Sequence, residues 1–237
     1  MSNRVTIIAE AGGNHNGSIK KAYKLVDIAK QAGADYVKFQ TFKAETLVSK
    51  NAPKAKYQKK NVKKISHYEL IKKLEMSYDM HLKLIKYCKK KKIKFLSSPF
   101  CIDSFNLLQK FNLDFIKIPS GEITNLPLLR HIKKFKTDII LSTGMSNLKE
   151  INYAIKVLKN NNRKIILLHC NTEYPTPIED INLNAMLNLK KKFKLDVGYS
   201  DHSLGIQVPI IAASLGAKVI EKHFTISKKM EGPDHAA

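Results

Sequence analysis

The chain has 237 residues, 43% of them hydrophobic, and a net charge of +22. That length supports a sizeable core; no apolar run is long enough to span a membrane, and Met1 leads into a strand too soon for a signal peptide, so a cytoplasmic protein is expected. The charge invites a nucleic-acid reading, but only Arg4, Arg130 and Arg163 are arginines among 42 basic residues, and no aromatic-studded basic stripe accompanies the lysines.

Lysine runs such as Lys89 to Lys92 and Lys190 to Lys192 read as solvated helix faces and turns, so no nucleic-acid partner is expected. Cys88, Cys101 and Cys170 are odd in number, widely spaced and free of any CxxC pair. They read as reduced thiols, with neither a disulfide framework nor a zinc ribbon.

In chain order, the first predicted strand, Val5 to Ala11, enters a glycine-rich turn, Gly12-Gly13-Asn14-His15-Asn16-Gly17, which lacks dinucleotide-fingerprint spacing. A helix follows over Ile19 to Ala32, then a strand from Tyr36 to Phe42. Lys43 to Ile65 is a basic insertion too long for an ordinary βα loop, the kind of segment that makes a substrate wall. Ser66-His67-Tyr68-Glu69 has the pattern of a capping box opening the next helix. Further strands are predicted at Ile93 to Phe100, Phe115 to Glu122, Asp138 to Met145, Lys164 to Tyr174, Leu195 to His202 and Lys218 to Thr225, with an amphipathic helix over Leu148 to Asn160 among those between them.

Near-continuous apolar strands alternating with helices predict a parallel sheet covered on both sides. Eight such strands, with none left as an edge, predict an α/β fold of the TIM (β/α)8 barrel type. Residues 1–237 are expected to form one barrel domain. The chain stops at Ala237 just after the eighth strand, so the final helix is expected to be missing.

Barrels of this kind carry their chemistry at the C-terminal ends of the strands. The polar residues fall there: Glu10; Lys38 and Gln40, which share a face by alternation; Ser98; Lys117, Ser120 and Glu122; Ser142; Thr172 and Tyr174; Ser200 and His202; and His223. His202 and His223 end two strands that an apolar helix should make parallel neighbours, so one metal ion can bridge them. His169 reads as core, and His15 as equally structural or functional. Lys38 and Lys117 beside a ring of hydroxyls suggest an anion pocket. A buried ammonium needs an anion, and Glu10 and Glu122 are the internal alternatives to a bound one. A Schiff-base lysine is the competing chemistry.

Several motifs together resemble the bacterial sialic-acid synthase family. They are Ile8-Ala9-Glu10-Ala11-Gly12-Gly13-Asn14-His15-Asn16-Gly17, Val37-Lys38-Phe39-Gln40-Thr41, Lys117-Ile118-Pro119-Ser120-Gly121-Glu122, Leu141-Ser142-Thr143-Gly144-Met145, Tyr174-Pro175-Thr176-Pro177, Gly198-Tyr199-Ser200-Asp201-His202, Glu221-Lys222-His223-Phe224-Thr225 and Gly232-Pro233-Asp234-His235. The resemblance implies a TIM barrel that condenses phosphoenolpyruvate with an N-acylated hexosamine, using a divalent metal, Mn2+ or Mg2+. It places His202 and His223 on the metal. It places Lys38, Ser98, Lys117, Ser120, Ser142, Thr172, Tyr174 and Ser200 on phosphoenolpyruvate, and Glu10, Gln40, Glu122 and Asp234 near the sugar and reacting carbons. Glu122 is the candidate for proton handling.

Family members continue into a last barrel helix and an antifreeze-like domain that reaches the partner subunit's sugar. This chain is expected to lack both, and a full-length form to be a homodimer. The stretch Ala52 to Lys60 resembles legionaminate-type synthases more than strict N-acetylneuraminate synthases. Another phosphoenolpyruvate-sugar synthase and an aldolase built on Lys117 remain as alternatives.

Overall fold

A computed structural model of the chain describes residues 4–54, 65–160, 163–232 and 234–235. The first stretch of elements is β1 (Thr6–Gly12), α1 (Ile19–Gln31), β2 (Tyr36–Thr41), α2 (Ala44–Leu47), α3 (His67–Lys73), α4 (Tyr78–Lys91), β3 (Lys94–Pro99) and α5 (Ile102–Gln109). The second is β4 (Phe115–Ile118), α6 (Leu126–Lys133), β5 (Asp138–Ser142), α7 (Leu148–Leu158), β6 (Ile165–His169), α8 (Leu183–Phe193), β7 (Asp196–Asp201), α9 (Gln207–Ser214) and β8 (Val219–His223). The strands are hydrogen-bonded in the order β3-β2-β1-β8-β7-β6-β5-β4. This is the α/β architecture of (β/α)8 type that the alternation predicts. No helix among the described residues is long and apolar enough to cross a membrane.

The chain divides into two compact units, Met1–Ile7 with Asn112–Lys222, and Ile8–Phe111 with His223–Ala237. In the second of these, β1 pairs with β2 through Glu10↔Lys38, and β2 with β3 through Lys38↔Leu96 and Gln40↔Ser98. Phe224 N donates to Glu10 O at 3.1 Å, tying the start of the C-terminal segment to β1. Helix α1 buries Ala22, Leu25, Val26 and Ala29, one face at helical spacing, and Ser18 caps its start. The expected capping box on α3 is present, with Ser66 and Glu69 bonded reciprocally. Of the predicted insertion, Ala44–Leu47 forms the short helix α2, and residues 55–64 lie outside the described residues.

In the other unit, β4 to β8 pair in sequence, in registers such as Lys117↔Ile140, Leu141↔Leu167, Leu168↔Gly198 and Ser200↔Glu221. Many of their buried positions are apolar, among them Ile116, Ile118, Ile139, Leu141, Leu167 and Leu168, while Lys117, Ser142, Ser200, Asp201 and Glu221 are buried polar exceptions toward the strand ends. Gly198 lets β7 and β8 close up: a Cβ there would stand 2.2 Å from Val219 O. The guanidinium of Arg163 reaches the carbonyls of Leu158, Ile132 and Phe135, satisfying the C-terminal ends of α6 and α7.

Candidate active site

The unit that holds β1 to β3 gathers four of the predicted residues around Glu10. Lys38 Nζ is 2.8 Å from Glu10 Oε2 and donates to Ser98 Oγ at 3.4 Å, while Gln40 Nε2 donates to Glu10 Oε1 at 3.2 Å. Strand alternation puts Lys38 and Gln40 on one face, and both meet the same carboxylate. Gly12, at φ 49°, leaves the space beside them open. A Cβ there would lie 3.2 Å from Asp234 Oδ2, 3.5 Å from Glu10 Oε1 and 3.7 Å from Gln40 Nε2. Desolvation pushes the Asp234 carboxyl up to about 6, against the pull of Lys38.

His15 makes the turn contacts that its structural reading requires. Its Nδ1 accepts from Gly17 N at 3.0 Å, its ring faces Phe39, and burial with the neighbouring charge of His81 lowers it to about 4. It is a neutral turn-former. Asn14 Nδ2 donates to Phe224 O at 2.8 Å, holding the same turn to the segment after β8.

In the other unit, Lys117 donates to Glu221 Oε1 at 3.1 Å, and Ser200 Oγ donates to the same oxygen at 3.0 Å. The carboxylate on Lys117 is therefore Glu221, whereas Glu122 accepts from Asn125 Nδ2 at 2.6 Å. Both buried lysines have internal carboxylates beside them, Glu10 for Lys38 as anticipated and Glu221 in place of Glu122 for Lys117, which offsets the cost of desolvating each ammonium. Burial also raises the Glu122 carboxyl above its ordinary value.

Further along the strand ends, Gly144 N donates to Ser120 Oγ at 2.9 Å, and Ser120 Oγ lies 3.2 Å from Cys170 Sγ. A Cβ on Gly144 would be 2.8 Å from Thr172 Cγ2 and 3.0 Å from both Ser120 Oγ and Cys170 Sγ. Ser120, Thr172 and Cys170 thus converge on a spot that only glycine leaves open. Ser142 Oγ is buried with no hydrogen-bond partner among the described residues, an arrangement that suits a ligand or water. His169, read as core, packs beside Tyr199 as a half-buried ring.

His202 is held in one tautomer. Its Nδ1 faces Asn171 O at 2.5 Å, so that nitrogen carries the proton and Nε2 presents its lone pair, with Ser200 Oγ at 3.5 Å. Burial is the largest influence on the ring and lowers its pKa, which keeps it neutral and able to coordinate. Tyr174 stacks on it at 4.1 Å between centroids. The β7–β8 register, Ser200↔Glu221 and Asp201↔Lys222, runs to the residue before each of His202 and His223. Lys222 Nζ bonds Asp201 Oδ2 and Ser203 O, fixing the backbone next to His202. Among the described residues no group of three or more His, Cys, Asp or Glu is gathered for a metal.

Sequence reasoning missed Glu221 and Cys170. Glu221 was findable, because it lies two residues before His223 on the same strand face, the spacing that linked Ser200 to His202.

The NeuB family model matches residues 25–237. The chain is 53% identical to the N,N'-diacetyllegionaminic acid synthase of Campylobacter jejuni, over 99% of this chain and 71% of that one. It is 48% identical to the synthase of the same name from Legionella pneumophila, over 98% and 67%. The crystal structure of N-acetylneuraminic acid synthetase from Leptospira borgpetersenii, in complex with citrate, superposes with a TM-score of 0.88 at 35% identity, over 99% of this chain and 78% of that one.

Proposed function

The chain belongs to the NeuB family, and on that footing we propose that it condenses phosphoenolpyruvate with an N-acylated hexosamine, giving a sialic-acid-type nonulosonate and phosphate. The 53% identity to the Campylobacter synthase carries the reading. It also favours 2,4-diacetamido-2,4,6-trideoxymannose over N-acetylmannosamine as the sugar.

In the proposed reaction, C3 of phosphoenolpyruvate bonds to the aldehyde carbon of the open-chain sugar, whose oxygen takes up a proton. Water adds at C2 of the former phosphoenolpyruvate, and the C2–O bond to phosphate breaks to leave a ketone. Lys38, Ser98, Lys117, Ser120, Ser142, Thr172, Tyr174 and Ser200 bind the phosphate and carboxylate of phosphoenolpyruvate. Glu10 and Glu221 hold the two lysines charged and oriented, and the amide of Gly144 orients Ser120. Gln40, Glu10 and Asp234 face the sugar. Glu122, its carboxyl raised by burial, moves the proton at the incoming water. His202 and His223 are the residues that would hold a divalent manganese or magnesium ion, which would supply Lewis-acid polarisation of the aldehyde.

The ion pair of Lys117 with Glu221 weighs against an aldolase built on that lysine, because the carboxylate favours the ammonium over the neutral amine that a Schiff base requires. Competing the two sugars at limiting phosphoenolpyruvate and ranking kcat/KM tests the proposal. The diacetamido sugar is expected to win. A preference for N-acetylmannosamine beyond about 100-fold would reverse the sugar assignment. No phosphate release with either sugar would overturn the reaction class.

A further inference from the structure

Resting on the reading of Asp234 as a sugar-facing carboxylate, we propose that His235 is a positioning residue whose imidazole clasps the 231–235 segment so that Asp234 stands beside Glu10 and Gln40. Thr225 Oγ1 is in hydrogen-bond contact with His235 Nδ1 and lies 3.3 Å from Ser227 O; with the ring as donor the hydroxyl can point at Ser227 O and no N–H is left at the ring's other nitrogen, which has no partner among the described residues. The proton is therefore on Nδ1. His235 is 1% exposed, and its Nε2 is a buried nitrogen without a hydrogen-bond partner among the described residues. A charged ring would bury an unpaired N–H at that nitrogen, and burial together with the charge of Lys21 lowers the imidazole's pKa. The clasp works with a neutral ring in a single tautomer.

The segment is tied on its other side as well. Asn16, in the turn after β1, donates from Nδ2 to Glu231 O at 2.7 Å. Gly232, at φ 154°, lies against both anchors: a Cβ there would be 2.5 Å from His235 Cδ2 and 2.7 Å from Asn16 Oδ1. Asp234 falls between the glycine contact and the histidine bond. Its carboxylate oxygen is close to where a Gly12 Cβ would sit, the same spot that Glu10 and Gln40 border. Among the described residues the segment contributes no strand or helix near Asp234, so these side-chain ties set the carboxylate's place.

Isosteric replacement separates a clasp from a residue that merely fills space. The amide of Asn places an N–H near the position of Nδ1, whereas that of Gln reaches the position of Nε2. In the full-length protein, His235→Gln should raise the sugar KM by about 10-fold or more while the KM for phosphoenolpyruvate stays within about twofold. His235→Asn should recover most of that loss. Thr225→Val should match His235→Gln, and combining the two should add nothing further. Equal effects of Asn and Gln, a parallel rise in both KM values, or a fully additive double variant would overturn the clasp. If the unaltered protein condenses neither sugar, the functional reading fails, and the clasp is judged by amide hydrogen exchange at Asp234 and His235 without substrate. Exchange faster by about 10-fold in His235→Gln but not in His235→Asn supports it; no difference overturns it.

Discussion

Lys117 and Glu221 are each 3% exposed and form an ion pair at 3.1 Å. Removing one partner leaves the other as a buried charge. Lys117→Met should therefore cost about 3–5 kcal/mol of stability in urea unfolding, and the double change Lys117→Met with Glu221→Leu should recover most of it. A double variant no more stable than the single would show that the pair is not the energetic unit. Asp234 titrates in a readable window. Its carboxyl, at about 6, is ionised at neutral pH and protonates as pH falls through that value, losing an acceptor for a sugar hydroxyl. An acid limb near pH 6 in the kcat/KM for the sugar is expected, and Asp234→Asn should flatten it while lowering the plateau. The raised value also means that the folded chain binds this proton more tightly than the unfolded one. Ionisation at Asp234 therefore costs stability above pH 6, and that cost is relieved as pH falls toward 3.8. Lys38, Gln40, Ser98, Glu10 and Glu221 could all be placed on strand faces from alternation, but the pairing of Glu221 with Lys117 could not, since the two strands lie more than a hundred residues apart.

Strand identity was legible along the chain, and strand ends were not. The predicted fourth strand ran to Glu122, whereas β4 stops at Ile118 because Pro119 has no N–H to donate and Ser120–Glu122 turn into a 3-10 helix. The sixth was predicted to Tyr174, whereas β6 stops at His169; beyond it the carbonyl of Asn171 goes to His202 and its side-chain amide to Asp180 O, drawing the backbone off the ladder. The polar strand ends are where the site residues lie, so apolar pattern weakens where function begins. Two substitutions should act on elements in opposite directions. Gly198→Ala drives a methyl to 2.2 Å from Val219 O and should cost about 3 kcal/mol or more, since the obstacle is the backbone of a paired strand. Lys92 ends α4 in the left-handed region at φ 57°, a conformation glycine adopts without penalty. Lys92→Gly should stabilise the protein by about 0.5–1 kcal/mol, read as a higher midpoint in urea. A loss there would mean that the lysine side chain makes a contact worth more than the strain.

Forty-two basic residues face 20 acidic ones, and the resulting +22 is spread over helix faces and turns. Ion pairs on the surface, such as Lys83 with Asp79 and Lys164 with Asp196, are exposed on both sides and contribute little. The excess lysines then repel one another in the folded chain more than in the expanded unfolded one. Salt weakens that repulsion, because the screening length shortens from about 30 Å at 0.01 M to about 8 Å at 0.15 M, while the buried pairs Lys38–Glu10 and Lys117–Glu221 are screened far less. The melting temperature should accordingly rise by about 2–5 °C between low salt and 0.15 M NaCl, then level off. The same change should remove any binding to duplex DNA seen at low salt, since a lysine-rich surface without arginine or aromatic readout holds phosphate only by counter-ion release. Scanning calorimetry over a salt series, with a parallel DNA-binding titration, separates these terms. A melting temperature that falls with salt would mean that attractive surface pairs outweigh the net charge. DNA binding that persists at 0.15 M would mean that the lysines form a built surface and not a solvated one.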